Sequence, residues 1–179
     1  MSQIKVDSII PRGGLGTGAV GGIIQVVSTF KSDTFSASIN SMNETNITGL
    51  SATITPQSTS SKILIVVAIG GCSTPDTGQR YGFGLKRGGT VIGVATGAGN
   101  RTPAMFSTTN FEGNSNAMEG GAAFHFLDSP STTSATTYQV WTTIEGNGNE
   151  VFINKSSNDS DSSSVFRSSS NITVFEMGS

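Results

Sequence analysis

The alternation of apolar and polar positions is densest between residues 47 and 69, ITGLSATITPQSTSSKILIVVAI. In the first half Leu50, Ala52 and Ile54 alternate with Ser51, Thr53 and Thr55. A period of two sets one face of a strand against a core and leaves the other hydroxylated. Pro56 cannot donate a ladder hydrogen bond, and 57–61 is turn material. Residues 62–69 then run through Ile63, Leu64, Ile65, Val66, Val67, Ala68 and Ile69 with no charge after Lys62. This is the pattern of a strand covered on both faces, and the core is predicted to form around it.

The same periodicity predicts the remaining elements. A strand is expected over 22–29 and an irregular one within 30–45, where Phe35 and Ile39 stand among polar residues. Residues 70–79 read as a loop. In 81–87 the large residues Tyr81, Phe83 and Leu85 alternate with glycine, Gly88-Gly89 supplies a hairpin turn, and the strand returns over 90–95. The stretch 97–121 is rich in Gly and Asn, with one short strand at 104–108. It is long for a structureless connection, and such loops are where binding function often sits. Strands at 122–127 (Phe124 and Phe126 on one face, His125 on the other), 138–144, 151–153 and 172–176 complete the chain. No stretch shows helical periodicity with caps. About eight to ten short strands at roughly 8–12-residue intervals predict an all-β antiparallel fold, a jelly-roll β-sandwich.

Residues 1–21 read as a separate unit from the β-domain of 22–179. Ile4, Val6, Ile9, Ile10, Pro11 and Leu15 precede or punctuate a glycine-rich run. So many glycines lose much conformational freedom on ordering, so the segment is expected to be an extended anchoring arm that orders on a partner. It contains a formal G-x-G-x-x-G at 16–21. Dinucleotide binding needs a helix directly after that motif, whereas 22–27 is β-branched and strand-like.

Composition supports the β reading. Charged residues make up 12 % of the chain, against roughly 25 % in average globular proteins. Ser, Thr, Asn and 23 glycines take their place. A formal charge of −2, with Lys86–Arg87 the only adjacent basic pair, gives no face for counterion release and argues against nucleic-acid binding. The single cysteine, Cys72, excludes an intrachain disulfide and reads as a small buried apolar residue. No apolar run suits a signal peptide or approaches the ~20 residues of a membrane span, so membrane insertion is not expected.

Chemistry is sparse. His125 is the one histidine, set between two phenylalanines in a strand, and a triad cannot be assembled around it from sequence. One His and one Cys cannot supply the four ligands of a zinc site within a chain, although a threefold axis would gather three copies of His125. Glu112, Glu119, Asp128, Glu145 and Glu150 lie in or beside loops as candidate glycosidase carboxylates. Asn158-Asp159-Ser160-Asp161-Ser162 resembles half of a calcium loop but lacks the glycine and the later glutamate of an EF-hand. The expectation is a protein that is not an enzyme, with no catalytic residues, no metal and no cofactor.

The runs GGIIQVV, ITGLSATITPQSTSSKIL, FLDSPSTTSATTYQV and SSNITVFEMG resemble small structural proteins of tailed bacteriophages, of the cyanophage or marine-phage type. In such proteins an N-terminal arm attaches to the virion, and a β-domain similar to complement-type or tumour-necrosis-factor-type jelly rolls trimerises and faces solvent. The resemblance implies a homotrimeric tail fibre, head fibre or capsid decoration protein. It would be made in the bacterial host cytoplasm, located in the virion, and anchored through 1–21 to a capsid, neck or tail protein. A second reading is a receptor-binding tip, in which Tyr81, Tyr138 or Trp141 stacks on a host surface glycan.

Overall fold

The computed structural model describes residues 22–110, 116–118 and 120–178. The arm positions Ile4, Val6, Ile9, Ile10, Pro11 and Leu15 lie outside the described residues, as do Glu112 and Glu119. The described residues form twelve strands and no helix: β1 (Ile23–Lys31), β2 (Phe35–Ile39), β3 (Thr45–Ile54), β4 (Lys62–Ile69), β5 (Cys72–Ser73), β6 (Arg80–Arg87), β7 (Thr90–Ile92), β8 (Phe106–Thr109), β9 (Ala122–Asp128), β10 (Thr136–Ile144), β11 (Asn149–Ile153) and β12 (Ser170–Met177).

All pairings are antiparallel. One sheet runs β1-β12-β4-β9 and a second runs β3-β10-β6-β7, with β8 also paired to β6. A small third sheet, β2-β11-β5, extends the end of the sandwich. Strands next to one another in sequence, such as β3 and β4 or β9 and β10, fall in different sheets. The chain thus crosses repeatedly between layers, which is the jelly-roll arrangement.

The inner faces follow the alternation in the sequence. Ile63, Ile65, Val67 and Ile69 of β4 and Ile172 and Val174 of β12 are buried with Leu50, Ala52 and Ile54 of β3, Tyr81, Phe83 and Leu85 of β6, and Val140 and Ile144 of β10. Each such aliphatic side chain contributes about 1.5–3 kcal/mol of burial. The Gly88-Gly89 turn has φ of 53° and 90°, the doubly left-handed geometry that a tight hairpin requires. β7 ends at Ile92, shorter than the predicted return strand. Gly93 follows with φ 69°, and a Cβ there would stand 2.9 Å from Phe126 Cδ2, so the backbone turns beneath that ring. The expected loop at 70–79 contains β5, a two-residue rung on β11 that carries too little sequence to announce itself.

The two large sheets are pinned at one end by a polar cluster. Arg87 Nη1 of β6 donates to both oxygens of Asp128 of β9 at 2.9 Å, and the Tyr138 hydroxyl of β10 donates to Asp128 Oδ2 at 2.7 Å. Burial, and then the hydrogen bond to the Asp128 carboxylate, raise the Tyr138 pKa above its ordinary value. A raised pKa contributes stability that is complete below the unfolded value near 10 and is lost as pH climbs beyond it. Urea unfolding between pH 8 and 11 is therefore expected to show a steeper alkaline loss of stability in the wild type than in Tyr138→Phe. The variant is expected to be weaker by about 1–2 kcal/mol at pH 7. Parallel alkaline slopes would refute the assignment.

Candidate assembly face

The outer face of the β1-β12-β4-β9 sheet is the unusual surface of this molecule. Register places Val26 opposite Phe175, Phe175 opposite Leu64, and Leu64 opposite Leu127, so one apolar row crosses all four strands. The next row is Ser28, Thr173, Val66 and His125, and the third is Phe30, Asn171, Ala68 and Ala123. Ser28 and Thr173 share a hydroxyl hydrogen bond of 2.8 Å within their row. Phe30 is 68 % exposed, Val26 52 %, Leu127 51 % and Val66 36 %. His125 is the one ionisable side chain inside these three rows, and Lys62 stands at their margin, donating to Ser129 Oγ at 2.7 Å.

This face corrects one expectation. The run 62–69 was expected to be covered on both sides, and only Ile63, Ile65, Val67 and Ile69 are. Leu64, Val66 and Ala68 point away from the core, beside equally apolar neighbours. This apolar face spans the four strands and is larger than scattered surface residues. The opposite outer face, on the second sheet, is polar: Lys86 Nζ donates to Glu44 O at 3.3 Å, and Arg80 pairs with Glu145 at 2.8 Å.

The predicted glycan-stacking residues are not on a surface. Tyr81 is 2 % exposed, and Tyr138 and Trp141 are fully buried. Tyr81 stacks edge-on to Phe83 in the core with ring centroids 5.9 Å apart, and its hydroxyl accepts from Cys72 Sγ at 3.3 Å. Trp141 packs against Gly84, where a Cβ would lie 2.4 Å from Cζ2, so glycine is what makes room for the indole. At these exposures none of the three presents an open ring face for a sugar to stack on, against the expectation from sequence.

Of the other candidates, Glu150 is exposed on β11, and the rest among the described residues are engaged in structure. Asp128 is held by Arg87 and Tyr138, and Glu145 by Arg80 through Nη1 and the backbone nitrogen. The calcium-like stretch is a turn closed by Arg167, whose Nε and Nη2 donate to Asp159 at 2.9 and 2.6 Å. That guanidinium, through its hydrogen bonds first, holds the Asp159 carboxyl below its ordinary range. Cys72 is buried, as its composition-based reading predicted.

No family model matches the chain, and no curated protein does. Among solved structures, the chain is similar to one from the crystal structure of the T13 IBDV viral particle, at 12 % identity and a TM-score of 0.38. The match covers 98 % of this chain and 42 % of that one, so this chain spans less than half the length of the viral-particle chain. A likeness of that size decides neither fold nor function.

Proposed function

We propose that this protein is a non-enzymatic structural component of a virus particle, a fibre or decoration protein of a tailed bacteriophage, in which three copies bury their β1-β12-β4-β9 outer faces around an axis. The observation that carries the reading is the uncharged apolar row Val26, Phe175, Leu64 and Leu127. Three copies around an axis would also hide the flanking Phe30 and Val66, which a soluble monomer has little reason to expose. The arm of 1–21 then attaches the trimer to another virion protein, and the low-charge, hydroxyl-rich remainder faces solvent. The sequence resemblance to tailed-phage structural proteins agrees with this arrangement.

The test is the solution mass of the full chain by light scattering across a dilution series. Three times the monomer mass, 18.4 kDa, maintained on dilution is the expected result. A clean monomer at every concentration would overturn the reading. A second reading, a receptor-binding tip, is favoured by a separate observation: a cleft on the opposite sheet, away from the apolar face.

A further inference from the structure

On the outer side of the second sheet, register aligns Ser107, Gly82 and Thr143 in one row and Arg80 beside Thr109 in the next. A cleft of about 640 Å³ opens over them. Gly82, Thr143 and Ser107 of the sheet, the 100–104 segment with Arg101, and Met42 line it. The walls are held: Ala95 N donates to Ala104 O at 3.3 Å, Met105 N to Phe83 O at 2.9 Å, and Thr102 Oγ1 to Met42 Sδ at 3.6 Å. Ser41 and Met42 both have φ of 56°, an uncommon conformation for residues other than glycine. Ser41 N is fixed by Asn147 Oδ1 at 3.2 Å, which keeps Met42 in position over the cleft.

We propose that this cleft binds a carboxylate-bearing saccharide. Two guanidinium groups line it; Arg80 is already paired with Glu145, which leaves Arg101 as the group to meet an anion. Arg80 Nη1 is oriented by Glu145 at 2.8 Å. Arg101 Nη1 donates to Ala98 O at 3.0 Å, which leaves further donors of its planar fork for a carboxylate, the group that fork matches best. Thr143 is buried to 3 % exposure, and its hydroxyl has no hydrogen-bond partner among the described residues. Ala104 packs down over Gly82, where an added Cβ would stand 3.1 Å from the Ala104 methyl, Met42 adds apolar surface, and Asn100, Thr102 and Ser107 add amide and hydroxyl groups to the lining. That mixture of apolar wall and few polar groups suits an organic ligand better than a bare anion.

This inference deepens the receptor-binding reading and is independent of self-association. The probes are immobilised polygalacturonate, the same polymer with its carboxylates reduced to alcohols, and inorganic phosphate as competitor, all with the full chain. Binding to the polyuronate and not to the reduced polymer is expected. Arg101→Ala is expected to weaken binding at least about tenfold, and the Arg80→Ala/Arg101→Ala pair further, with solution mass unchanged. Binding to the reduced polymer that Arg101→Ala leaves intact would overturn the acidic-ligand assignment while preserving a receptor-binding role. Displacement by phosphate as effective as by free galacturonate would reduce the site to a bare anion pocket and overturn the saccharide assignment. Binding to neither polymer overturns the proposal, leaves the receptor-binding reading to be carried by a different ligand, and leaves the trimer test untouched.

Discussion

Replacing Asn154 with aspartate is expected to lower stability by about 3 kcal/mol or more, with a fall in melting temperature on the order of 10 °C. Asn154 is fully buried just after β11, with φ of 63°. Its Nδ2 donates to Lys31 O at 3.1 Å and Asp33 O at 3.0 Å, tying down the end of β1. Its Oδ1 accepts from Ser170 Oγ at 2.6 Å, at the start of β12, and its backbone nitrogen donates to Gly71 O at 2.9 Å. One side chain therefore joins three segments of the sandwich end. Aspartate tolerates the left-handed backbone nearly as well as asparagine, so the substitution isolates the amide donors. It replaces an NH₂ that faces two carbonyl oxygens with an acceptor, and at neutral pH adds a buried charge against them. The deficit should narrow at low pH, where a protonated carboxyl regains one donor. Chemical unfolding of both proteins at pH 4.5 and 7 checks this. A change below about 1 kcal/mol at pH 7 would mean that the hub is dispensable.

How far the sequence foretold this molecule depends on what each residue's neighbours were. The strand at 62–69 was legible to the residue, because an apolar run bounded by Ser61 and Gly70 allows no other register. The Tyr81, Phe83, Leu85 alternation and the Gly88-Gly89 turn were legible for the same reason: period and turn chemistry are local. For Trp141 the sequence left core and glycan contact both open, because periodicity does not say which face of a strand is covered. The room for its ring comes from Gly84 on the neighbouring strand, a cross-strand fact. The hydroxyl of Tyr138 finds Asp128 across the sandwich, again invisible to periodicity. The cleft was missed because Met42, Arg80, Arg101 and Thr143 come from four segments, although the length of 97–121 had already marked one wall as a place for binding. The outer face of β4 was legible in a different sense. A strand apolar on both sides predicts two covers, and the fold of one chain supplies one of them.

That missing cover gives the second large effect. Val26→Glu and Leu127→Glu, at opposite ends of the apolar row, are each expected to turn the proposed trimer into a monomer at concentrations where the wild type would remain associated. Both side chains are about half exposed in the single chain, at 52 % and 51 %, so a glutamate there reaches water and should leave the monomer fold nearly intact. In an assembly that buries the face, the same carboxylate must lose its hydration, with no cation in its own row and Lys62 at the margin already engaged by Ser129. Desolvation of an unpaired charge costs several kcal/mol, and a threefold axis repeats it in every copy, so association should weaken by more than about 100-fold. Val26→Thr and Leu127→Met keep shape or hydrophobicity without adding charge, and they should remain associated. Light scattering over a dilution series, with circular dichroism to establish that the monomeric variants keep their β-structure, separates the outcomes. Glutamate variants that retain the wild-type mass would show that this face stays in solvent, and the uncharged rows would then need a different partner to explain them.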